Sequence, residues 1–248
     1  MASPLSPDPS AGVFETLLVA GGRPVELDAH LQRMARSARE LYGVEVPRGA
    51  RELVLERSLP LQLGRLRLNL VPSPGGPVAE AVTAEVSRAD VFPGWERAAT
   101  LRCFEVPGGL GAHKWSDRSG LAAMESELPR GCVALLLDTG GVVLEGSRAN
   151  VFAVEGEVLV TPPADGRILP GVARARAIEA ARSLGLQVLE QELPLERLTA
   201  APEAFLTGSV RGVEPVRAVG EARLGRPGDA TAEIVAAIER LWLGRAAA

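Results

Sequence analysis

Lysine is nearly absent from this chain: of 27 basic residues, 26 are arginine and one is Lys114. Long apolar runs are missing too. None approaches the ~18 residues that a bilayer-spanning helix needs, which excludes a helical membrane anchor. The opening MASPLSPDPSAG has no basic start and no apolar centre, so residues 1–11 read as a flexible tail and not as a signal peptide. Cysteine is limited to Cys103 and Cys132, both in apolar, strand-like stretches without metal-ligand spacing. Buried free thiols in a reducing cytoplasm are expected, and no metal site. The basic residues are scattered and the formal net charge is −4, so no nucleic-acid footprint is present. What remains is an ordinary globular composition, 46 % hydrophobic and 23 % charged, in 248 residues. That length holds one large domain or two modest ones.

The near-absence of lysine gives Lys114 a second reading. A guanidinium stays protonated and cannot act as an amine nucleophile, whereas a lysine amine can once its pKa is lowered. Lys114 is either a leftover surface cation or a residue kept for chemistry that arginine cannot perform. Composition alone leaves both open.

Hydrophobic periodicity divides the chain into two α+β halves. Val13–Val19 reads as a strand turning at Gly21-Gly22. Asp28 is a plausible N-cap for a helix carrying Leu31, Met34, Ala35, Ala38 and Leu41 on one face and ending at Gly43. A weaker helix spans about 48–58. Residues 65–70 alternate strictly, with Leu66, Leu68 and Leu70 on one face and Arg65, Arg67 and Asn69 on the other. Further strands are expected at 79–86 and 100–106. The glycine-rich stretch 107–111 reads as a linker between a small domain, 12–106, and a larger one, 112–248. The larger half begins with a helix at about 117–128. Strands follow at 132–137, 142–145, 150–154 and 158–161, then a helix opened by Pro170-Gly171. Short strands near Val188 and Phe205 and a final helix at about 230–243 complete it.

A lysine nucleophile needs a carbonyl partner, and pyridoxal phosphate is the common cofactor that supplies one. Its phosphate calls for backbone N–H groups at a helix start, a hydroxyl and an arginine; its ring nitrogen calls for a carboxylate. Gly171-Val172-Ala173 at a helix start, Ser209 in a Thr-Gly-Ser turn, Arg33 on the first helix and Glu145 at a strand end are the candidates. Singly each has a bland reading: a turn, a solvated arginine, an exposed glutamate. Together they form a pattern. Glu145-Gly146 with Asn150-Val151-Phe152 resembles the E-G-x-x-x-N-[VL]-F segment of the fold-type IV pyridoxal-phosphate family, which includes branched-chain and D-amino-acid aminotransferases and aminodeoxychorismate lyases. Gly12-Val13-Phe14-Glu15-Thr16 resembles its G-x-F-E-T start, and His30-Leu31-Gln32-Arg33 its H-L-x-R helix. Thr161-Pro162-Pro163 with Leu169-Pro170-Gly171-Val172-Ala173-Arg174, and Phe205-Leu206-Thr207-Gly208-Ser209 with Pro215-Val216, resemble later motifs in the same order.

The resemblance spans roughly residues 12 to 220. It implies a two-domain α+β fold with the cofactor between the domains, and a homodimer acting on a small-molecule substrate. It implies that Lys114 bonds to the cofactor and later moves a proton, and that Glu145 meets the ring nitrogen. Arg33, the N–H groups of Val172 and Ala173, and Ser209 would hold the phosphate. The family usually has threonine where this chain has Ala173, so one hydroxyl contact is lost, worth on the order of 1 kcal/mol. The strand pair that usually precedes G-x-F-E-T is missing, so that sheet edge is expected to be short.

The residues after the lysine separate reactions. Transaminases of the family tend to show Asn-Tyr four and five positions on; here Lys114 is followed by Trp115-Ser116-Asp117-Arg118, which resembles the Lys-x-x-[DN]-Arg of aminodeoxychorismate lyases. The only tyrosine, Tyr42, lies on the early helix. Residues 205–216 also resemble a segment of those lyases. The implied reaction splits 4-amino-4-deoxychorismate into 4-aminobenzoate and pyruvate, a step of folate biosynthesis. A dicarboxylate substrate needs a cationic clamp. Arg211 is the first candidate, then Arg67 and Arg65, with Arg118 beside the lysine. The 72–77 turn lacks the Arg/His loop of D-amino-acid enzymes. An aminotransferase and a cofactor-binding protein with little catalysis remain as alternatives.

Overall fold

A computed structural model describes residues 6–244; residues 1–5 of the expected tail lie outside the described residues. In chain order the elements are β1 (Val13–Ala20), β2 (Arg23–Pro24), α1 (Leu27–Tyr42), α2 (Ala50–Ser58), β3 (Leu63–Val71), β4 (Val78–Glu85), β5 (Ala99–Glu105), α3 (Ser119–Ser126), β6 (Cys132–Asp138), β7 (Val142–Gly146), β8 (Asn150–Glu155), β9 (Val158–Thr161), α4 (Val172–Ser183), β10 (Gln187–Glu190), β11 (Leu193–Pro194), α5 (Leu195–Ala200), β12 (Glu203–Gly208), β13 (Gly212–Val219), β14 (Ala222–Arg223) and α6 (Asp229–Leu243). The chain forms two compact units. The first holds residues up to Val91 together with His113–Gly120; the second holds Phe92–Ala112 and everything from Leu121. The sequence reading put residues 100–106 with the first half, but β5 pairs in parallel with β6 and β13 and therefore belongs to the second unit.

The second unit is built on a ten-stranded sheet ordered β10-β9-β8-β12-β13-β5-β6-β7-β11, with β14 on β13. Alternation along these strands sorts their side chains. Val151, Ala153, Ala204, Leu206 and Val216 join Leu101, Val133 and Leu135 in one core. On the opposite face of β8 and β12, Phe152 and Phe205 are register partners and stack with ring centroids 4.9 Å apart. α4 packs against β12 with its small buried residues Ala173, Ala177 and Ala181. The sequence reading missed β13, whose Pro215 argues against a central strand. The register explains why it is tolerated: β5 pairs with β13 only from Val216 onward, so at Pro215 the strand has β12 alone as a neighbour.

The first unit has an antiparallel sheet ordered β2-β1-β3-β4, with α1 and α2 packed against it. The expected alternation of β3 is observed: Leu66, Leu68 and Leu70 are fully buried with Leu17, Met34, Ala38 and Val54. Beyond β1, the edge carries only the two-residue β2. Asp28 does not cap α1. It lies in the first turn, and Glu26 takes the N-cap position in a left-handed conformation at φ 55°, its side chain not capping the helix. The larger surprise is polar. His30, Arg33 and Ser37, spaced i, i+3, i+7, are all buried on α1. Glu15 of β1 explains two of them. Its carboxylate accepts from Arg33 Nε at 2.8 Å and Arg33 Nη2 at 2.6 Å, and His30 Nδ1 lies 2.6 Å from Oε2. An ionised carboxylate can only accept, so His30 carries its proton on Nδ1. Burial pushes the Glu15 carboxyl up, but the Arg33 charge and the bonds from Arg33 and His30 more than offset this and hold it at about 2. Burial holds the His30 pKa below its ordinary value despite the Glu15 bond.

Two outcomes follow. Both pKa values are depressed in the folded state, so the stability they carry is present at neutral pH and lost on acidification: His30 begins to cost stability as pH falls below 6.5, and Glu15 as pH falls from 4.5 toward 2. Glu15→Gln removes the carboxylate charge beside the buried Arg33 guanidinium and should lower stability at pH 7 by about 3 kcal/mol. In urea unfolding it should then lose less than wild type between pH 4.5 and pH 2, the window in which Glu15 takes up its proton; equal pH sensitivity there would remove Glu15 from this role. Gly12 has φ +83°, and a Cβ there would run into the Leu70 carbonyl. Gly12→Ala should therefore destabilise by more than 1 kcal/mol in the same assay, and a neutral result would contradict the close approach.

Candidate active site

Lys114 lies in the first unit on a short segment pinned to β1. Phe14 N–H donates to the Lys114 carbonyl at 2.9 Å, Ser116 N–H donates to the Gly12 carbonyl at 2.9 Å, and Val13 and Trp115 form a β-bridge. The flanking side chains anchor it further. His113 meets Trp115 edge-on at 5.5 Å and has Nδ1 3.0 Å from Ser37 Oγ, while Trp115 packs against the leucine core. The lysine is neither fully buried nor freely exposed. Its Nζ lies 4.7 Å from the centroid of the Phe14 ring, and Arg67 Cζ lies 3.7 Å from the same centroid. The Lys114 charge is also close enough to His30 to contribute to its lowered pKa.

Three arginines cluster here. Burial lowers the Arg67 pKa, and the charges of Arg118 and Arg65 lower it further. Arg67 Nε donates to Asn69 Oδ1 at 2.7 Å. Positive charge thus concentrates on the face of β3 that the sequence marked as polar. Such a cluster is suited to receiving carboxylates. Arg33, read from sequence as a solvated helix residue or a phosphate ligand, is 7 % exposed with one edge of its guanidinium fixed by Glu15.

In the second unit Glu145 ends β7 and is buried. The 146–149 turn, closed by Gly146 N–H to the Ala149 carbonyl at 2.8 Å, brings Asn150 back beside it. Asn150 Nδ2 donates to Glu145 Oε2 at 3.1 Å and to the Leu169 carbonyl at 2.9 Å; Leu169 N–H donates to Glu145 Oε1 at 3.2 Å. Both carboxylate oxygens are therefore held from the protein side. Two residues on, Gly171 is the N-cap of α4 without any side-chain cap, and a Cβ there would run into Asn150 Oδ1. The N–H groups of Val172 and Ala173 open that helix, where backbone donors lack intrahelical partners. Ser209 follows β12 and is partly buried, and Thr207 Oγ1 is buried with no hydrogen-bond partner. These features fit a dianion at a helix start and a protonated ring nitrogen at a fixed carboxylate. Arg211, the first-ranked clamp in sequence, donates through Nε at 2.7 Å and Nη2 at 2.8 Å to buried Glu214. Glu15, His30, Asn150 and Thr207 drew no role from sequence, although the 30–33–37 spacing was a readable sign of a buried polar face. Among the described residues, no group of three or more His, Cys, Asp or Glu could hold a metal, and no helix is long and apolar enough to cross a membrane.

Comparison with known proteins agrees with this geometry. The chain matches the family described as amino-transferase class IV over residues 12–219. A putative branched-chain-amino-acid aminotransferase of Methanocaldococcus jannaschii is 29 % identical over 230 residues, covering 83 % of this chain and 77 % of that protein. The branched-chain-amino-acid aminotransferase of Escherichia coli K12 is 38 % identical over 112 residues, 44 % of this chain but 36 % of that protein, so the match spans about a third of that relative's length. Among solved structures, a hypothetical aminotransferase from Mycobacterium tuberculosis in its PLP-bound form superposes with a TM-score of 0.80 at 27 % identity, covering 92 % of this chain and 88 % of that one. The 4-amino-4-deoxychorismate lyase from Pseudomonas aeruginosa does so with a TM-score of 0.77 at 25 % identity, covering 93 % and 90 %. The chain belongs to the class IV aminotransferase family, the fold-type IV enzymes whose cofactor is pyridoxal phosphate.

Proposed function

We propose that this enzyme is a 4-amino-4-deoxychorismate lyase, releasing 4-aminobenzoate and pyruvate. The observation that carries the reading is the cationic cluster of Arg67, Arg118 and Arg65, in which Arg67 shares the Phe14 ring with Lys114. A substrate with two carboxylates is suited to such a cluster, and the residues that follow the lysine favour the lyase over an aminotransferase, whose keto-acid acceptor can also be a dicarboxylate. The lysine's surroundings agree. The only tyrosine is engaged elsewhere, with Tyr42 Oη donating to the Pro9 carbonyl at 2.8 Å. Asp117-Arg118 follow the lysine instead, and Asp117 Oδ1 accepts from Ser119 N–H at 2.9 Å just before α3. Arg211 ranks below Arg67 as a clamp, because Glu214 already neutralises its fork. An aminotransferase is the second reading, favoured by the names of the sequence relatives.

The roles proposed for these residues are those that the family resemblance implies. Pyridoxal phosphate, when bound, supplies an electron sink for charge developing at the amine-bearing carbon. Lys114 Nζ provides the amine that holds the cofactor, then takes the proton from that carbon. Glu145, fixed by Asn150 and Leu169, keeps the ring nitrogen protonated. Arg33, the N–H groups of Val172 and Ala173, and Ser209 hold the phosphate. With the C–O bond to the three-carbon side chain broken, Lys114 would return the proton to the methylene carbon of the departing enol, which leaves as pyruvate. The remaining ring becomes aromatic, so no second substrate is needed.

Purified enzyme given 4-amino-4-deoxychorismate alone should form 4-aminobenzoate and pyruvate in equal amounts. Turnover that depends on 2-oxoglutarate or another keto acid would establish the aminotransferase instead. Arg67→Gln should raise KM by about tenfold or more, the loss of one charge-assisted contact, while the cofactor's absorbance stays as in wild type. Arg211→Gln should do less to KM, and the reverse ranking would overturn this assignment of the clamp. A homodimer is also proposed, so light scattering should report twice the 26.0 kDa chain mass; a monomer at assay concentration would contradict it.

A further inference from the structure

The start of α4 lacks a hydroxyl where the helix opens. Gly171 has no side chain to offer as a cap, and Val172 and Ala173 follow it. A phosphate monoester dianion there would find backbone N–H donors, but no hydroxyl from Gly171, Val172 or Ala173. The sheet beneath supplies one. Thr207 of β12 is 2 % exposed, and its Oγ1 is buried with no hydrogen-bond partner. Buried hydroxyls are rarely left in that state, because desolvation without a compensating bond is costly.

Register shows where this hydroxyl lies. Thr207 is the antiparallel partner of Asn150, so the two side chains share one face of the sheet. Phe152 and Phe205 stack on that same face two residues along. α4 packs against β12, and its first turn sits at the Asn150 end, since the space a Gly171 Cβ would need is filled by Asn150 Oδ1. Asn150 is fully committed toward Glu145 and Leu169. Thr207 beside it is not, which leaves its hydroxyl as the uncommitted donor on the face that the uncapped helix start covers.

We infer that Thr207 Oγ1 is a ligand of the phosphate group bound at the start of α4, supplying from the sheet the hydroxyl that Ala173 does not supply from the helix. This rests on the cofactor reading above and adds a residue to it. The ligand is a phosphate monoester, and free inorganic phosphate shares its chemistry. The orphan hydroxyl is thus a feature of the unliganded protein that binding resolves.

The test compares binding of pyridoxal phosphate with binding of pyridoxal, which bonds to the lysine but has no phosphate. Affinities are read from absorbance titrations of cofactor-free enzyme, with inorganic phosphate as a competitor. In Thr207→Val, similar in shape but without the hydroxyl, pyridoxal phosphate should bind about tenfold more weakly, the scale of one hydrogen bond to a charged group. Pyridoxal affinity should be unchanged, and inorganic phosphate should compete less well. The thermal midpoint of the cofactor-free Val variant should match or exceed wild type, because an unsatisfied hydroxyl has been removed from the interior. Thr207→Ala should show the same phosphate-specific loss, and Thr207→Ser should behave as wild type. Equal pyridoxal phosphate affinity in wild type and both hydroxyl-free variants would overturn the inference and leave the cofactor reading intact. Equal weakening of pyridoxal and pyridoxal phosphate would mark Thr207 as structural and overturn it too. If wild type binds no pyridoxal phosphate, the cofactor reading itself fails and the inference falls with it.

Discussion

The chain contains one lysine, and the segment that carries it is fixed by backbone bonds as well as by the side chains of His113 and Trp115. Lys114 sits on a segment held to β1 by two main-chain hydrogen bonds, Phe14 N–H to the Lys114 carbonyl and Ser116 N–H to the Gly12 carbonyl. Its ammonium lies 4.7 Å from the centroid of the Phe14 ring, over which Arg67 is also placed, at 3.7 Å. The glycine at residue 12 is what allows β1 to begin so close to β3, since any Cβ there meets the Leu70 carbonyl. The reactive group, the aromatic ring beside it and the cationic cluster are therefore consequences of one strand pairing, β1 with β3, and of the segment bridged onto its first residues.

Asn150 plays the corresponding part in the second unit. Its amide N–H group holds Glu145 and the Leu169 carbonyl, and its oxygen abuts Gly171. A carboxylate suited to a ring nitrogen and a helix start suited to a phosphate are thus positioned by a single side chain. Glu15 does similar work in the first unit, where it fixes two nitrogens of Arg33 and the tautomer of His30. In each case one side chain orients another that the proposed function assigns to the cofactor, and preorganisation of this kind fixes charged groups before a ligand arrives.

Much of this was readable in the chain. The solitary lysine, the β3 alternation, the Pro170-Gly171 helix start and the ordered motifs carried the family and the main candidates. What was not readable depended on tertiary partners. Asp28 looked like a cap because its residue type is favoured there, but the turn before α1 placed Glu26 at that position instead. Arg33 was named as a phosphate ligand, but its pairing with Glu15 was not foreseen, because Glu15 lies on another element, 18 residues away. Arg211 looked available because Glu214, three positions on, gave no sign that it would be buried and paired. β13 was hidden by Pro215, which is harmless only because β5 starts one residue later in the register.

The central claim is that Lys114 is the residue that bonds to pyridoxal phosphate. Because the sequence has no other lysine, the claim reduces to a choice between that side chain and the terminal amine. Borohydride reduction of the holoenzyme, which makes the bond permanent, followed by peptide mapping, decides it. The account predicts one phosphopyridoxyl group per chain, on the peptide containing Lys114 and absent in Lys114→Ala. A label on the terminal amine, or none at all in protein that has bound the cofactor, would contradict it.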